Sequence, residues 1–140
     1  MSNDNDFYEI GIDSTNRTTI LVVDDESVIR DLLFRTLGRE GFRVVTACDG
    51  VEALNCLKGS KIDIVISDIM MPRMNGLELL VEVKCDYPQI PVLLITGYAG
   101  NFSGKQALEA GAEDFIVKPF KNSEIRYAIQ RTLVRLEKSK

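Results

Sequence analysis

The apolar run at residues 62–66, broken only by Asp63, gives way at once to Ser67-Asp68. So short a run suits a strand buried on both faces of a parallel sheet. A carboxylate then projects where that strand meets its loop. Pro72 and Gly76 break the chain, and Leu77, Leu80 and Val81 resume it at helical spacing. Ligands of an open α/β sheet gather at the carboxyl ends of its strands, so Asp68 is a site candidate. A lone strand-end Asp is more often a turn former. Partners from other strands must decide between the two.

The same punctuation recurs along the chain. Thr18–Val23 (TTILVV) predicts a first buried strand, and it ends in Asp24-Asp25-Glu26. Ser27 is placed to cap a helix in which Ile29, Leu32, Leu33, Thr36 and Leu37 share one face, with Gly41 stopping it. Arg43–Ala47 predicts a shorter strand. A turn at Asp49-Gly50 leads into a helix with Ala53, Leu54 and Leu57 inward, ending near Gly59. Tyr87-Pro88 closes the helix that follows the central strand, because proline disfavours helical geometry at the preceding residue. Pro91–Ile95 is the fourth apolar run, ending at Thr96-Gly97. A weak helix from Phe102 to Ala110, interrupted early by Gly104, comes before a fifth strand, Asp114–Val117, which ends at Lys118-Pro119. The last helix, Asn122–Glu137, carries Ile125, Ile129, Leu133 and Leu136 on one stripe. Five strand-helix alternations of this length predict an α/β fold, a parallel sheet with helices on both faces.

Composition removes whole classes of function. A chain of 140 residues is one domain's worth, and the pattern divides it into a flexible tail at 1–17 and a domain at 18–138. A net charge of -4 argues against direct nucleic-acid binding. No apolar run approaches the ~20 residues of a membrane span. The N-terminus is acidic and polar, unlike a signal peptide, so a cytoplasmic location is expected. Cys48, Cys56 and Cys85 show no CxxC spacing and are expected to be reduced, partly buried small hydrophobes. The sequons at Asn16 and Asn101 read as chance matches. There is no histidine. That excludes a Ser-His-Asp triad and a His-based zinc site. If phosphoryl chemistry occurs, this chain cannot carry the phosphate on histidine and can only receive it.

Four of the five predicted strands end in chemistry: Asp24-Asp25, Asp68, Thr96 and Lys118. Parallel strands bring these side chains to one edge. Three carboxylates placed together cannot all stay ionised cheaply. A hard divalent cation resolves the repulsion, and Mg2+ suits one or two carboxylates with waters and a phosphate. Lys118 adds positive charge and Thr96 a hydroxyl donor. Phosphoryl transfer asks for this set, because its catalysis is mostly positioning and charge neutralisation.

The segments LVVDDE (21–26), SDIMMPRMNGLELL (67–80), LLITGYA (93–99) and DFIVKPF (114–120) resemble the motifs of response-regulator receiver domains, the phosphoacceptor modules of two-component signalling. The resemblance runs from about Thr18 to Leu136. It implies a flavodoxin-like, doubly wound five-stranded parallel sheet in the order 2-1-3-4-5. It implies that Asp68 is phosphorylated, and that Asp25, Asp68 and the Met70 carbonyl bind Mg2+ with Asp24 acting through water. Thr96, Lys118 and the amides of Met70 and Gly97 would hold the phosphoryl group. Phe115 stands where the family places its switch aromatic, and the Lys118-Pro119 bond is expected to be cis. The implied partners are a sensor histidine kinase or histidine phosphotransfer protein, a downstream effector or output domain, and a second copy through the surface of the fourth helix, fifth strand and last helix. The only catalysis implied is the domain's own phosphorylation and dephosphorylation. Position 115 is Phe, without a tyrosine's hydroxyl, Tyr98 is bulky beside the phosphate position, and 97–104 holds three glycines.

Other readings fit less well. A haloacid-dehalogenase-type hydrolase needs a general acid two residues after its nucleophile, where this chain has Met70. A flavodoxin needs a hydroxyl- and glycine-rich phosphate loop after the first strand, where this chain has three acids. No Walker-type GxxxxGK[ST] is present. A phosphorylation-independent interaction module would usually lack one of the five site residues. A receiver cut from a longer transcriptional regulator would share every motif.

Overall fold

The fold is described from a computed structural model, which covers residues 17–97 and 104–138. The expected tail (apart from Arg17), Tyr98, the predicted helix start at Phe102 and both sequon asparagines lie outside these residues. Five strands and five helices alternate: β1 Thr19–Val23, α1 Ser27–Arg39, β2 Arg43–Ala47, α2 Gly50–Gly59, β3 Ile64–Asp68, α3 Gly76–Asp86, β4 Val92–Thr96, α4 Gly104–Glu109, β5 Asp114–Val117 and α5 Asn122–Lys138. The strands form one sheet in the order β2-β1-β3-β4-β5, and every pairing is parallel. This is the predicted doubly wound topology.

Period-two alternation splits the core into two layers. Ile20, Val22, Ile64, Ile66, Leu93, Ile95 and Ile116 face α1 and α5, packing on Leu33, Leu37, Ile125 and Ile129. Leu21, Val23, Val65 and Leu94 face α2, α3 and α4, packing on Ala53, Leu57, Leu79, Leu80, Val83 and Ala107. With helices on both faces, the residues of β1, β3 and β4 are all buried, which is why those strands read as unbroken apolar runs.

Several boundaries differ from the sequence expectation. The central strand begins at Ile64, two residues late, because Asp63 serves another purpose: its carboxylate accepts a hydrogen bond from the Thr19 amide at 2.8 Å. The strand runs on through Ser67 and Asp68. Ser27 is the first residue of α1 and not its cap; the cap position is Glu26, which makes no side-chain capping bond. Val81 is 58% exposed, since a 100° step per residue turns Leu79, Leu80 and Val83 inward and Val81 out. Gly104 is the first residue of α4, and the expected start at Phe102 lies outside the described residues. The cysteines are free, but Cys48 and Cys85 are exposed and only Cys56 is partly buried. The Lys118-Pro119 bond is cis, as the resemblance implies.

The start of α3 controls the approach to Asp68. Asn75 and Glu78 form a capping box, each side chain accepting from the other's backbone amide. The next amide, Gly76 N–H, donates to the Ile69 carbonyl at 2.9 Å. A Cβ at Gly76 would lie 2.3 Å from the Asp68 carbonyl oxygen and 2.9 Å from Ile69 Cα. Backbone on both sides leaves nothing that shifts cheaply. Gly76→Ala should therefore lose about 2 kcal/mol or more in urea unfolding. Gly38→Ala, at an open helical position with nothing within 4 Å, should gain up to about 1 kcal/mol in the same assay.

Candidate functional site

The sheet hydrogen bonding carries each site residue to the edge of the strands. Asp24 N–H donates to Ala47 O at 3.1 Å, Ile69 N–H to Ile95 O at 3.0 Å and Lys118 N–H to Thr96 O at 2.8 Å. The parallel ladder thus extends one residue past β1, β3 and β5, fixing the backbone beneath three of the candidates. Asp24 is fully buried and Asp68 and Thr96 nearly so, while Asp25 is exposed. Asp24, Asp25 and Asp68 each present a ligand oxygen, all within 4.8 Å of one another. Met70 lies two residues beyond Asp68 and is 69% exposed. Its amide favours the ionised Asp68 carboxylate, the weakest of the influences on that group.

Lys118 is the cation among these acids. Its ammonium lies 3.3 Å from Asp68 Oδ2, 3.5 Å from Asp24 Oδ2 and 3.6 Å from Glu26 Oε1. Nothing in the sequence marks Glu26, the third acid after the first strand, as a partner of Lys118. Burial pushes the Asp68 carboxyl above the usual carboxylate range and the Asp24 charge adds to this, against the pull of Lys118. Asp24 is raised in the same way, by burial first, although the Glu26 amide (2.9 Å) and Lys118 offset part of it. Burial alone would lower Lys118, but attraction to Asp68 and then Asp24 outweighs it and the ammonium is held more tightly. One positive charge is shared among more than one negative charge.

A divalent cation fits this arrangement. Asp24 Oδ2 is buried with no hydrogen-bond partner, an arrangement that costs free energy. The ligand set is all oxygen, the type hard cations take.

Phe115 and Thr96 share one face of the sheet, since Phe115 pairs with Leu94 and Thr96 with Val117. The half-buried Phe115 ring packs against the α2–α4 layer. It lies directly over Gly104, where a Cβ would come within 2.0 to 2.3 Å of the ring atoms. This contact had no signal in the sequence, where Gly104 read as a helix breaker.

The raised carboxyls have a thermodynamic consequence. A carboxyl with a folded pKa above its unfolded value binds its proton more tightly when folded, so stability falls as pH rises from about 4 through the raised value. Without divalent cations at pH 7, Asp24→Asn should raise stability and Tm. The gain should shrink as pH falls toward about 4, and thermal melts across that range measure it.

The chain's relatives carry the same module. A family model of the response regulator receiver domain matches residues 20–130. The chain is 38% identical over 130 residues to a probable transcriptional regulator, ycf27, of Guillardia theta, covering 93% of this chain and 51% of that protein. It spans about half the length of the curated relatives it matches. Among solved structures, a CheY-like receiver domain protein from Methanospirillum hungatei superposes with a TM-score of 0.83 at 30% identity, over 89% of this chain and all of that one. The response regulator TrrA from Thermotoga maritima, solved in complex with Mg2+ and BeF, gives a TM-score of 0.74 at 36% identity, over 81% and 97% of the two chains. A match to the family model over most of the chain, on a sheet of the order β2-β1-β3-β4-β5, makes this protein a member of the response regulator receiver domain family.

Proposed function

We propose that this receiver domain is the phosphoacceptor of a two-component relay and that Asp68 is the residue phosphorylated. The observation that carries the proposal is the three-acid cluster with Lys118 bridging two of its members. An Asp68 carboxylate oxygen attacks phosphorus while the bond to the donor's imidazole, or to the acyl oxygen of a small acyl phosphate, breaks. The leaving group departs with the electron pair. Lys118 and the Thr96 hydroxyl hold the transferred oxygens, with the Met70 and Gly97 amides. Asp24, Asp25, Asp68 and the Met70 carbonyl would hold Mg2+, whose positive charge would offset that of the phosphoryl oxygens. The reaction modifies the chain itself, with self-catalysed loss of the phosphoryl group, and turns over no separate substrate.

The donor is a sensor histidine kinase or a histidine phosphotransfer protein. An apolar hollow of about 390 Å³, lined by Ile29, Leu32, Gly97, Lys118, Pro119 and Phe120, borders the site and supplies a docking surface. A cytoplasmic location suits such a donor, and no helix among the described residues is long and apolar enough to cross a membrane. Phosphorylation adds roughly -1.5 to -2 charges beside Thr96 and Lys118. Thr96 moves toward the new oxygens, Phe115 turns into the space it leaves, and the α4–β5–α5 face is remodelled for an effector, an output domain or a second copy. Exposed Leu108, Val117, Tyr127 and Val134 lie on those three elements.

Intact-mass measurement after incubation with acetyl phosphate and Mg2+ should show one phosphate adduct, absent without Mg2+ and absent in Asp68→Asn. An adduct that persists in Asp68→Asn would sink the assignment, and an interaction module independent of phosphorylation would take none. Beryllofluoride should shift Phe115 side-chain NMR signals in wild type and not in Thr96→Ala; a mimic that binds without moving them removes the coupling.

A further inference from the structure

The loop between Asp68 and Gly76 carries Met70 and must hold its shape while charge accumulates beside it. It is pinned at its far end, where Gly76 lies against the Asp68 and Ile69 backbone. Its middle is pinned elsewhere, on the first turn of α2. Arg73 donates from Nε to Asp49 Oδ2 at 2.9 Å and from its terminal nitrogen to the same oxygen. The next residue, Met74, lies so close to Gly50 that a Cβ there would come within 2.7 to 2.8 Å of it. Two consecutive loop residues therefore rest on two consecutive residues of a different βα unit.

Two observations separate this contact from an ordinary surface pair, which contributes little. Asp49 is 4% exposed, and its other oxygen caps α2 by accepting the Glu52 amide at 2.9 Å. The anion is thus held by the helix as well as by Arg73, whose own side chain is 62% exposed, and its carboxyl is held below the usual range by that amide first and by Arg73 second. Arg73 itself has φ +66°, making it the non-glycine residue in the left-handed region among those described. L side chains rarely adopt this conformation, which glycine enters without strain. An arginine that tolerates it while placing both nitrogens on one carboxylate is held there by its side chain.

We propose that Arg73, clamped on Asp49, is a positioning residue of the phosphoacceptor site: it fixes the segment carrying Met70 and thereby sets how tightly the site holds Mg2+. The inference rests on the reading of Asp68, Asp24 and Asp25 as the metal and phosphoryl site. It adds α2, which carries none of those residues, to the apparatus that shapes the site.

The informative variant is Arg73→Gly, which removes the clamp and the backbone strain together. Calorimetric titration with Mg2+ alone should show affinity reduced roughly tenfold, the scale of losing a residue that orients a ligand. In the Mg2+-free protein, amides of residues 69–76 should exchange faster, while Tm changes little. Arg73→Lys keeps the charge without the planar fork and should recover only part of the affinity. Should Arg73→Gly fail to fold, Asp49→Asn keeps an oxygen for the Glu52 amide while weakening the clamp, and should lower Mg2+ affinity in the same direction. Wild-type affinity and exchange in these variants would overturn the proposal while leaving the Asp68 assignment intact. Wild-type protein that neither binds Mg2+ nor takes phosphate from acetyl phosphate would overturn both.

Discussion

The Lys118 ammonium, within 3.3 to 3.6 Å of carboxylates on the β1 and β3 ends, is the interaction around which this domain is balanced. Parallel β1, β3 and β5 place their terminal residues on one edge, where Asp24 and Asp68 lose their water. Desolvated carboxylates repel each other strongly in low dielectric. A single lysine cannot neutralise them all, and Asp24 Oδ2, 3.5 Å from that ammonium, is buried without a hydrogen bond. The domain keeps this unfavourable arrangement because the surrounding core is strong enough to hold it.

That strength comes from the two apolar layers. β1, β3 and β4 are buried on both faces, so the backbone beneath the acids cannot move without disturbing close-packed side chains. Hydrogen bonds that continue the ladder to Asp24, Ile69 and Lys118 extend this stiffness to the loops themselves. β5 is less buried than the central strands, and there the Phe115 ring rests on a glycine.

Much of this was legible in the residues. Apolar runs of strand length, each ending in a functional group, placed Asp24, Asp25, Asp68, Thr96 and Lys118 on one edge once the strands were taken as parallel. The boundaries that moved did so for local reasons that periodicity cannot register. Asp63 left the central strand to bond the Thr19 amide, and Ser27 entered α1 because the cap position fell one residue earlier. Cys48 and Cys85 are exposed, whereas composition favours burial, because each lies at an element's edge and not on its inward face.

By itself, the sequence determined the fold class, the edge at which chemistry gathers and the character of that chemistry. These follow from patterns within single elements: period-two burial, helical spacing and the residue that ends each strand. Only the tertiary structure decided which charges meet and which backbone supports them. Lys118 reaching Glu26 as well as both aspartates, Gly76 lying against the Asp68 carbonyl, Phe115 covering Gly104 and Arg73 gripping Asp49 each join residues from separate elements. No local pattern encodes such pairs, because their distances are set by how twisted strands and packed helices close on one another.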